Sequence, residues 1–187
     1  MSQLQHKPMT PAEFLAWEAK QELKWEFDGF QPVAMTGVTD AHAAIQSNLL
    51  TALNVRLRGR RCYSRGSEIK VEIGPKYRYP GAFVSCTRVA PNATIAADPV
   101  VIFEILSEST AKTDRTTKLI EYQSLPSVQR YVLLEQDQAL VTVITRGDTE
   151  WTIKMLDANE ILSMPEIDVE VPMAELYEGL EFTPLDL

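Results

Sequence analysis

Three stretches of this chain predict an α/β (mixed α+β) fold in which a central mixed sheet is flanked by helices. Asp98-Pro99-Val100-Val101-Ile102-Phe103-Glu104-Ile105-Leu106-Ser107 is a short apolar run rich in β-branched residues, bounded by polar turns, and reads as a central strand buried on both faces. Between Asp40 and Leu57, Ile45, Leu49, Leu53 and Leu57 recur every four residues, joined by Leu50, so a long helix carries one stripe to lay on a sheet. Finally, Arg130 to Leu134, Ala139 to Thr145 and Thr149 to Leu156 read as successive strands, with a turn at Arg146-Gly147-Asp148.

The chain opens with polar residues from Met1 to Met9, without the apolar segment of an export signal, and no apolar run approaches the roughly 18 residues of a membrane span. A non-membrane, cytoplasmic protein is therefore expected. With 187 residues, 45% of them hydrophobic, one domain is expected, ending in an acidic extension over residues 157–187. Cys62 and Cys86 show no metal-ligand spacing and fit a reducing compartment. A net charge of −8 argues against broad nonspecific binding to nucleic acid, yet leaves room for a local basic surface.

Thr10-Pro11-Ala12-Glu13 is a helix opening, with a capping hydroxyl, a proline in the first turn and a glutamate three residues after the cap; the helix should run to about Lys24. Trp25-Glu26-Phe27 then alternates into Asp28-Gly29, a two-residue hairpin signal. With Trp25 and Phe27 facing the core, Glu26 faces solvent or a cleft. Thr39 or Asp40 can cap the long helix, and His42 falls in its first turn, where it either bonds a neighbouring carbonyl or carboxylate or reaches a cleft. Arg56, Arg58, Arg60, Arg61 and Arg65 follow. Cations there complement the helix dipole, and they are also the plausible footprint for a phosphate backbone.

Strands are expected near Ser67 to Ile73 and Ala82 to Cys86, with Glu68, Lys70 and Glu72 sharing a face, which cross-strand charge pairing accounts for. Glu104 is the anomaly. An ionised carboxylate inside an apolar strand must be paired, protonated or bound to a cation, so it is either satisfied by an arginine or backbone amides, or is a metal ligand or acid-base group. A helix from about Ala111 to Ser124 then aligns Asp114, Lys118 and Tyr122 on one face, as a surface salt bridge or at the ligand-binding end of the sheet. Past Pro172 one short helix is expected.

Taken together, Met9-Thr10-Pro11-Ala12-Glu13-Phe14-Leu15, Trp25-Glu26-Phe27-Asp28-Gly29, Asp40-Ala41-His42, Arg78-Tyr79-Pro80, Phe103-Glu104-Ile105-Leu106-Ser107 and Asp114-Arg115-Thr116-Thr117-Lys118-Leu119-Ile120-Glu121-Tyr122 resemble the Uma family of putative restriction endonucleases, over about Met9 to Trp151. The resemblance implies a restriction-endonuclease-like fold of the PD-(D/E)XK superfamily and a Mg²⁺-dependent (or Mn²⁺-dependent) hydrolysis of nucleic-acid phosphodiesters, DNA first, and it allows a homodimer. On that likeness Glu104 matches the metal-binding acid, Lys118 the lysine displaced from the position of Leu106, and Glu26 and His42 complete the site, Glu26 as a second ligand. Where the family has Pro-Asp this chain has Pro80-Gly81, so metal affinity should be weak unless Glu72 or Glu68 substitutes. Two alternatives stay open: a degenerate nuclease fold that binds nucleic acid or a protein without cutting, and a hydrolase of small molecules.

Overall fold

The computed structural model describes residues 8–35 and 37–182. The polar opening stretch at residues 1–7, on which the absence of an export signal was read, lies outside them. No helix among the described residues is long and apolar enough to cross a membrane.

The chain runs α1 (Pro11–Glu18), β1 (Trp25–Phe27), β2 (Pro32–Ala34), α2 (Asp40–Leu57), β3 (Tyr63–Gly66), β4 (Val71–Ile73), β5 (Lys76–Arg78), β6 (Ala82–Ser85) and β7 (Pro99–Ile105). After β7 one crossover helix has three parts: α3 (Ala111–Thr113), a π-helical turn at Asp114–Lys118, and α4 (Leu119–Gln123). Then follow β8 (Arg130–Leu134), β9 (Val141–Arg146), β10 (Trp151–Leu156), β11 (Ile161–Met164), β12 (Val169–Pro172) and α5 (Met173–Leu176). The large sheet has the order β10-β9-β8-β7-β6-β3, a smaller one the order β2-β1-β5-β4, and β11 and β12 form a hairpin. Only the β7/β8 pair within the large sheet is parallel, which is why a helix must carry the chain between those strands. The sheet is mixed, as the sequence predicts.

Period-two alternation divides β7 between the two faces of the large sheet. Val101, Phe103 and Ile105 pack with the α2 stripe Ile45, Leu49, Leu53 and Leu57, whereas Ile102 and Leu106 pack with Tyr122 and Tyr131 on the side of the crossover helix. Glu104 falls on that second face. The segment expected as an acidic extension contributes to the first core: Leu162, Met164, Val169, Val171, Met173 and Leu176 are buried against α2 and the sheet. Its acids, such as Glu170, point away from this layer because the hairpin alternates buried with exposed residues.

Several local expectations shift. The first helix has the expected capping box at Thr10 and Glu13 but ends at Glu18, well before Lys24. Asp28-Gly29 does not make a two-residue hairpin: β1 and β2 pair Phe27 with Pro32, so four residues form the loop. There Gly29 takes φ +94° and the Asp28 carboxylate accepts from the amides of Phe30 and Gln31. Of the first expected strand, near residues 67–73, only the end forms, as β4 (Val71–Ile73), with Lys70 making an isolated bridge to Ile95; β3 ends before it, at Gly66. Cys62 and Cys86, which by sequence fit a reducing compartment, flank the paired ends of β3 and β6 and are joined as a disulfide. A cross-strand pair two dozen residues apart leaves no local spacing signal, which is why the sequence pointed to a reducing compartment.

Phe14 of α1 stacks on Phe27 of β1 at 4.7 Å and on Tyr77 of β5 at 5.8 Å, which fastens the first helix to the small sheet. Burial of the α2 stripe is the main tie between helix and large sheet. Leu53→Ala, at a fully buried position, should cost about 2–5 kcal/mol in urea-melt stability through lost transfer energy and an unfilled cavity, without changing the m-value.

Candidate functional site

The chain passes from the small sheet to the large one through Tyr79, Pro80 and Gly81, between the end of β5 and the start of β6. The two sheets part there, and three acids from three elements meet. Glu26 comes from β1, where the antiparallel register with β5 sets it beside Arg78. Glu104 comes from β7 opposite Gly81, whose amide donates to its Oε2 at 3.2 Å. Asp114 opens the π-helical turn of the crossover.

All three converge on Lys118. Its Nζ donates to Glu104 Oε1 at 3.0 Å and lies 3.2 Å from Glu26 Oε1 and 3.1 Å from Asp114 Oδ1. The Asp114 contact is an ion pair off the hydrogen-bonding direction, which leaves Oδ1 without a hydrogen-bond partner. Every member is buried. Placing Lys118 four residues after Asp114 and four before Tyr122 keeps all three on the sheet side of the helix, and the Tyr122 hydroxyl also donates to Glu104 Oε1, at 3.0 Å. The backbone of the π turn is itself held from the sheet, since the Tyr131 hydroxyl donates to the carbonyl of Asp114 at 3.0 Å.

A second layer of cations surrounds the first acids. The Tyr79 amide donates to Glu26 Oε1 at 3.0 Å, and Arg78 reaches Glu26 Oε2 at 3.2 Å while its other nitrogens grip both oxygens of Glu121. Lys76 adds a bond to Glu121 at 2.8 Å. From α2, Gln46 donates to the carbonyl of Gly81 at 2.7 Å, and His42 lies nearby with its Nδ1 buried and without a hydrogen-bond partner.

The electrostatics follow from burial and crowding of like charge. Burial pushes the Glu104 carboxyl up to about 7; Lys118 pulls against this, while Asp114 and Glu26 add to it. Burial alone would lower Lys118, but Glu104, Glu26 and Asp114 hold its ammonium well above the ordinary range, so it stays charged. Burial lowers His42 against the opposing pull of Asp114. For Glu121, burial would raise the carboxyl, yet the hydrogen bonds from Arg78 and Lys76 overcome it and hold it low.

Of the residues singled out by sequence, Glu104, Lys118 and Glu26 come together around one point, and His42 lies near enough to feel the charge of Asp114. Of the two orientations open to Glu26, solvent or a cleft, the inward one is found: its strand is paired on both sides, and the acid turns to Arg78 and Lys118. Glu68 and Glu72 do not join. Glu68 pairs with Lys24, Glu72 accepts from the Tyr77 hydroxyl, and Lys70 between them is buried against Glu18 of α1. Asp114 to Tyr122 is not a surface salt-bridge face but the wall of the site. Arg78 and Glu121 were missed as site residues, because their role depends on a pairing across 43 positions that no local pattern encodes.

The arginines lie elsewhere. Arg56 pairs with Glu175, Arg60 with Asp168, Arg61 donates to the carbonyl of Cys86, and Arg65 stacks on Tyr63. Arg58, Arg60 and Arg88 line a cleft of 370 Å³ with Tyr63 at the far end of α2, roughly 24 Å along the helix from His42 at 1.5 Å per residue.

A buried lysine at the meeting point of acids, where two sheets part beside a crossover helix, marks the candidate site of this mixed α/β protein. The chain belongs to the Uma2 family, described as putative restriction endonuclease, whose model matches residues 11–174. A crystal structure described as a putative nuclease belonging to DUF820, from Anabaena variabilis, shares the fold with a TM-score of 0.73 and 22% identity, over 91% of this chain and 98% of that one. Two uncharacterized proteins of Synechocystis sp. are similar as well. One, slr1290, is 29% identical over 93% of this chain and 94% of its own length; the other, sll1609, is 28% identical over 80% and 88%.

As arranged, these residues do not suit the Mg²⁺ that the family likeness implies. Among the described residues no three His, Cys, Asp or Glu groups are placed to hold a metal ion. The oxygens that would bind one face the ammonium of Lys118, and Gly81 brings no carboxylate. A Cβ at Gly81 would lie 3.2 Å from Ile105 Cδ1 and 3.3 Å from the carbonyl oxygen of Phe103, so β7 would have to give by a few tenths of an ångström to admit the aspartate that the family likeness implies.

Two stability measurements check this geometry. Glu104 ionises near 4.5 when unfolded and near 7 when folded, so between those values the folded state keeps a proton that the unfolded state has lost, and stability falls as pH rises through that window. Glu104→Gln should flatten that slope in melts from about pH 4 to about pH 8, by about 3 kcal/mol at most. Arg78→Met should cost about 3–5 kcal/mol in the same assay, because it strands Glu121 and Glu26 in a buried setting.

Proposed function

We propose that this chain is a nuclease, hydrolysing phosphodiester bonds of nucleic acid, DNA first, at the point where Glu104, Glu26 and Asp114 meet Lys118. The observation that carries the reading is the convergence of three acids from separate elements on one buried ammonium, in a chain of a family described as putative restriction endonuclease. A charge cluster of this kind is costly to keep for stability alone, since apolar residues of similar volume generally fill such a space at no loss.

The roles follow from the groups. Lys118 stays positive and offsets the charge that grows on the phosphoryl oxygens as the nucleophile attacks. Glu104, pushed up to about 7, exchanges a proton near neutral pH and so can take one from the attacking water. Tyr122 and the Gly81 amide hold that carboxylate in place, and Glu26 and Asp114 orient Lys118. His42 remains neutral, with Nδ1 available as an acceptor. Arg58, Arg60 and Arg88, roughly 24 Å away, would meet the backbone about seven nucleotides along a duplex at 3.4 Å per step. A divalent ion taking part would compete with Lys118 for the same oxygens. The proposal extends to a homodimer and to the cytoplasm, where the Cys62–Cys86 pair would stand mostly reduced.

The engaged carboxylates and Gly81 favour a second reading, a silent nuclease fold that binds nucleic acid or a protein partner. Cleavage of supercoiled plasmid and single-stranded DNA, with Mg²⁺ and with Mn²⁺, decides between them. The unmodified chain should cut, and Glu104→Ala should lose about 10²-fold or more. Retarded DNA without cutting in either protein supports the second reading. Gly81→Asp restores activity only if β7 gives by a few tenths of an ångström to admit its Cβ.

A further inference from the structure

We infer that Lys118 is the resident cation of the site: its ammonium takes the seat a divalent ion would use, and the wild-type chain therefore excludes divalent ions until Lys118 is displaced. The inference rests on the acid cluster being the reacting centre, but it concerns occupancy and needs no turnover. Three observations support it. Carboxylates from β1, β7 and the crossover helix lie within 3.0 to 3.2 Å of one nitrogen, so the space between them is filled by Nζ. Most of the other acceptor directions of Glu104 and Glu26 are spent on Tyr122, the Gly81 and Tyr79 amides and Arg78. Lastly, the position that could contribute a further acid is Gly81, and Ile105 and Phe103 close over it. Mg²⁺ demands near-octahedral oxygen geometry at about 2.0–2.1 Å, and these acids, 3.0 to 3.2 Å from the nitrogen they share, meet it only if the lysine leaves and they close in. Moving it is opposed by the same three carboxylates that hold it.

Lys118→Met replaces the ammonium with an apolar chain of similar length and leaves three acids facing each other. Electron paramagnetic resonance of Mn²⁺ added to protein, with no nucleic acid present, reads free and bound ion directly. Wild type should leave the free-ion signal unchanged, and Lys118→Met should bind Mn²⁺ about a hundredfold more tightly, since a cation no longer opposes the ion at contact distance. Adding Glu104→Gln to that variant should remove most of the gain.

Circular dichroism establishes that the variant is folded. Should it not fold, the wild type decides alone: the buried Lys118 ammonium, followed by ¹⁵N nuclear magnetic resonance, should keep its signal when Mn²⁺ is added. Mn²⁺ binding by wild type with broadening of that signal would overturn the inference, as would a folded Lys118→Met that gains no affinity. The nuclease reading fails by a different route, through DNA that stays uncut and indifferent to Glu104→Ala, so neither failure imitates the other.

Discussion

The ammonium of Lys118 is the constraint on which the arrangement of this molecule depends. Three buried carboxylates cannot share a dry space without a cation between them, since their desolvation and mutual repulsion would each cost several kcal/mol. Because Glu26, Glu104 and Asp114 belong to different elements, satisfying them with one nitrogen fixes three elements at once: the small sheet, the central strand and the crossover helix. Arg78 repeats the device one layer out, tying β1 and β5 to α4 through Glu26 and Glu121.

Packing supplies the frame within which those charges can meet. On one face of the large sheet α2 and the C-terminal hairpin form a continuous apolar layer; on the other, Tyr122 and Tyr131 bring hydroxyls to the acid and to the helix backbone. The π-helical turn falls between Asp114 and Lys118, the two helix residues that reach the cluster. Such turns recur at functional positions because they widen the helix locally and free its backbone groups for other partners. Here the freed partner is Tyr131.

How readable each residue was depended on whether its neighbour lay close in the chain. Glu104 was conspicuous, since a carboxylate in a seven-residue apolar strand violates the pattern around it, and Asp114, Lys118 and Tyr122 shared a face by spacing alone. Glu26 looked like an ordinary alternating strand acid because β5, its partner across the sheet, lies some fifty positions on. Glu121 and Arg78 were opaque for the same reason. The arginines after α2 read as one basic cluster, but the fold spends Arg56 and Arg60 on acids of the C-terminal segment and leaves a cleft far from Lys118.

By itself the sequence determined the kind and order of elements, the long helix with its stripe, the central strand, and the family likeness that rests on short motifs. Those properties are local: periodicity, capping and turn residues act over a few positions, and the hydrophobic pattern follows from them. Tertiary structure alone decided that Lys118 is the hub, that Glu26 turns inward, that Gly81 is pressed against β7 and that Cys62 meets Cys86. Each of these is set by register between distant strands or by charge shared across layers, and a single chain's linear pattern carries no record of which partner comes within 3 Å.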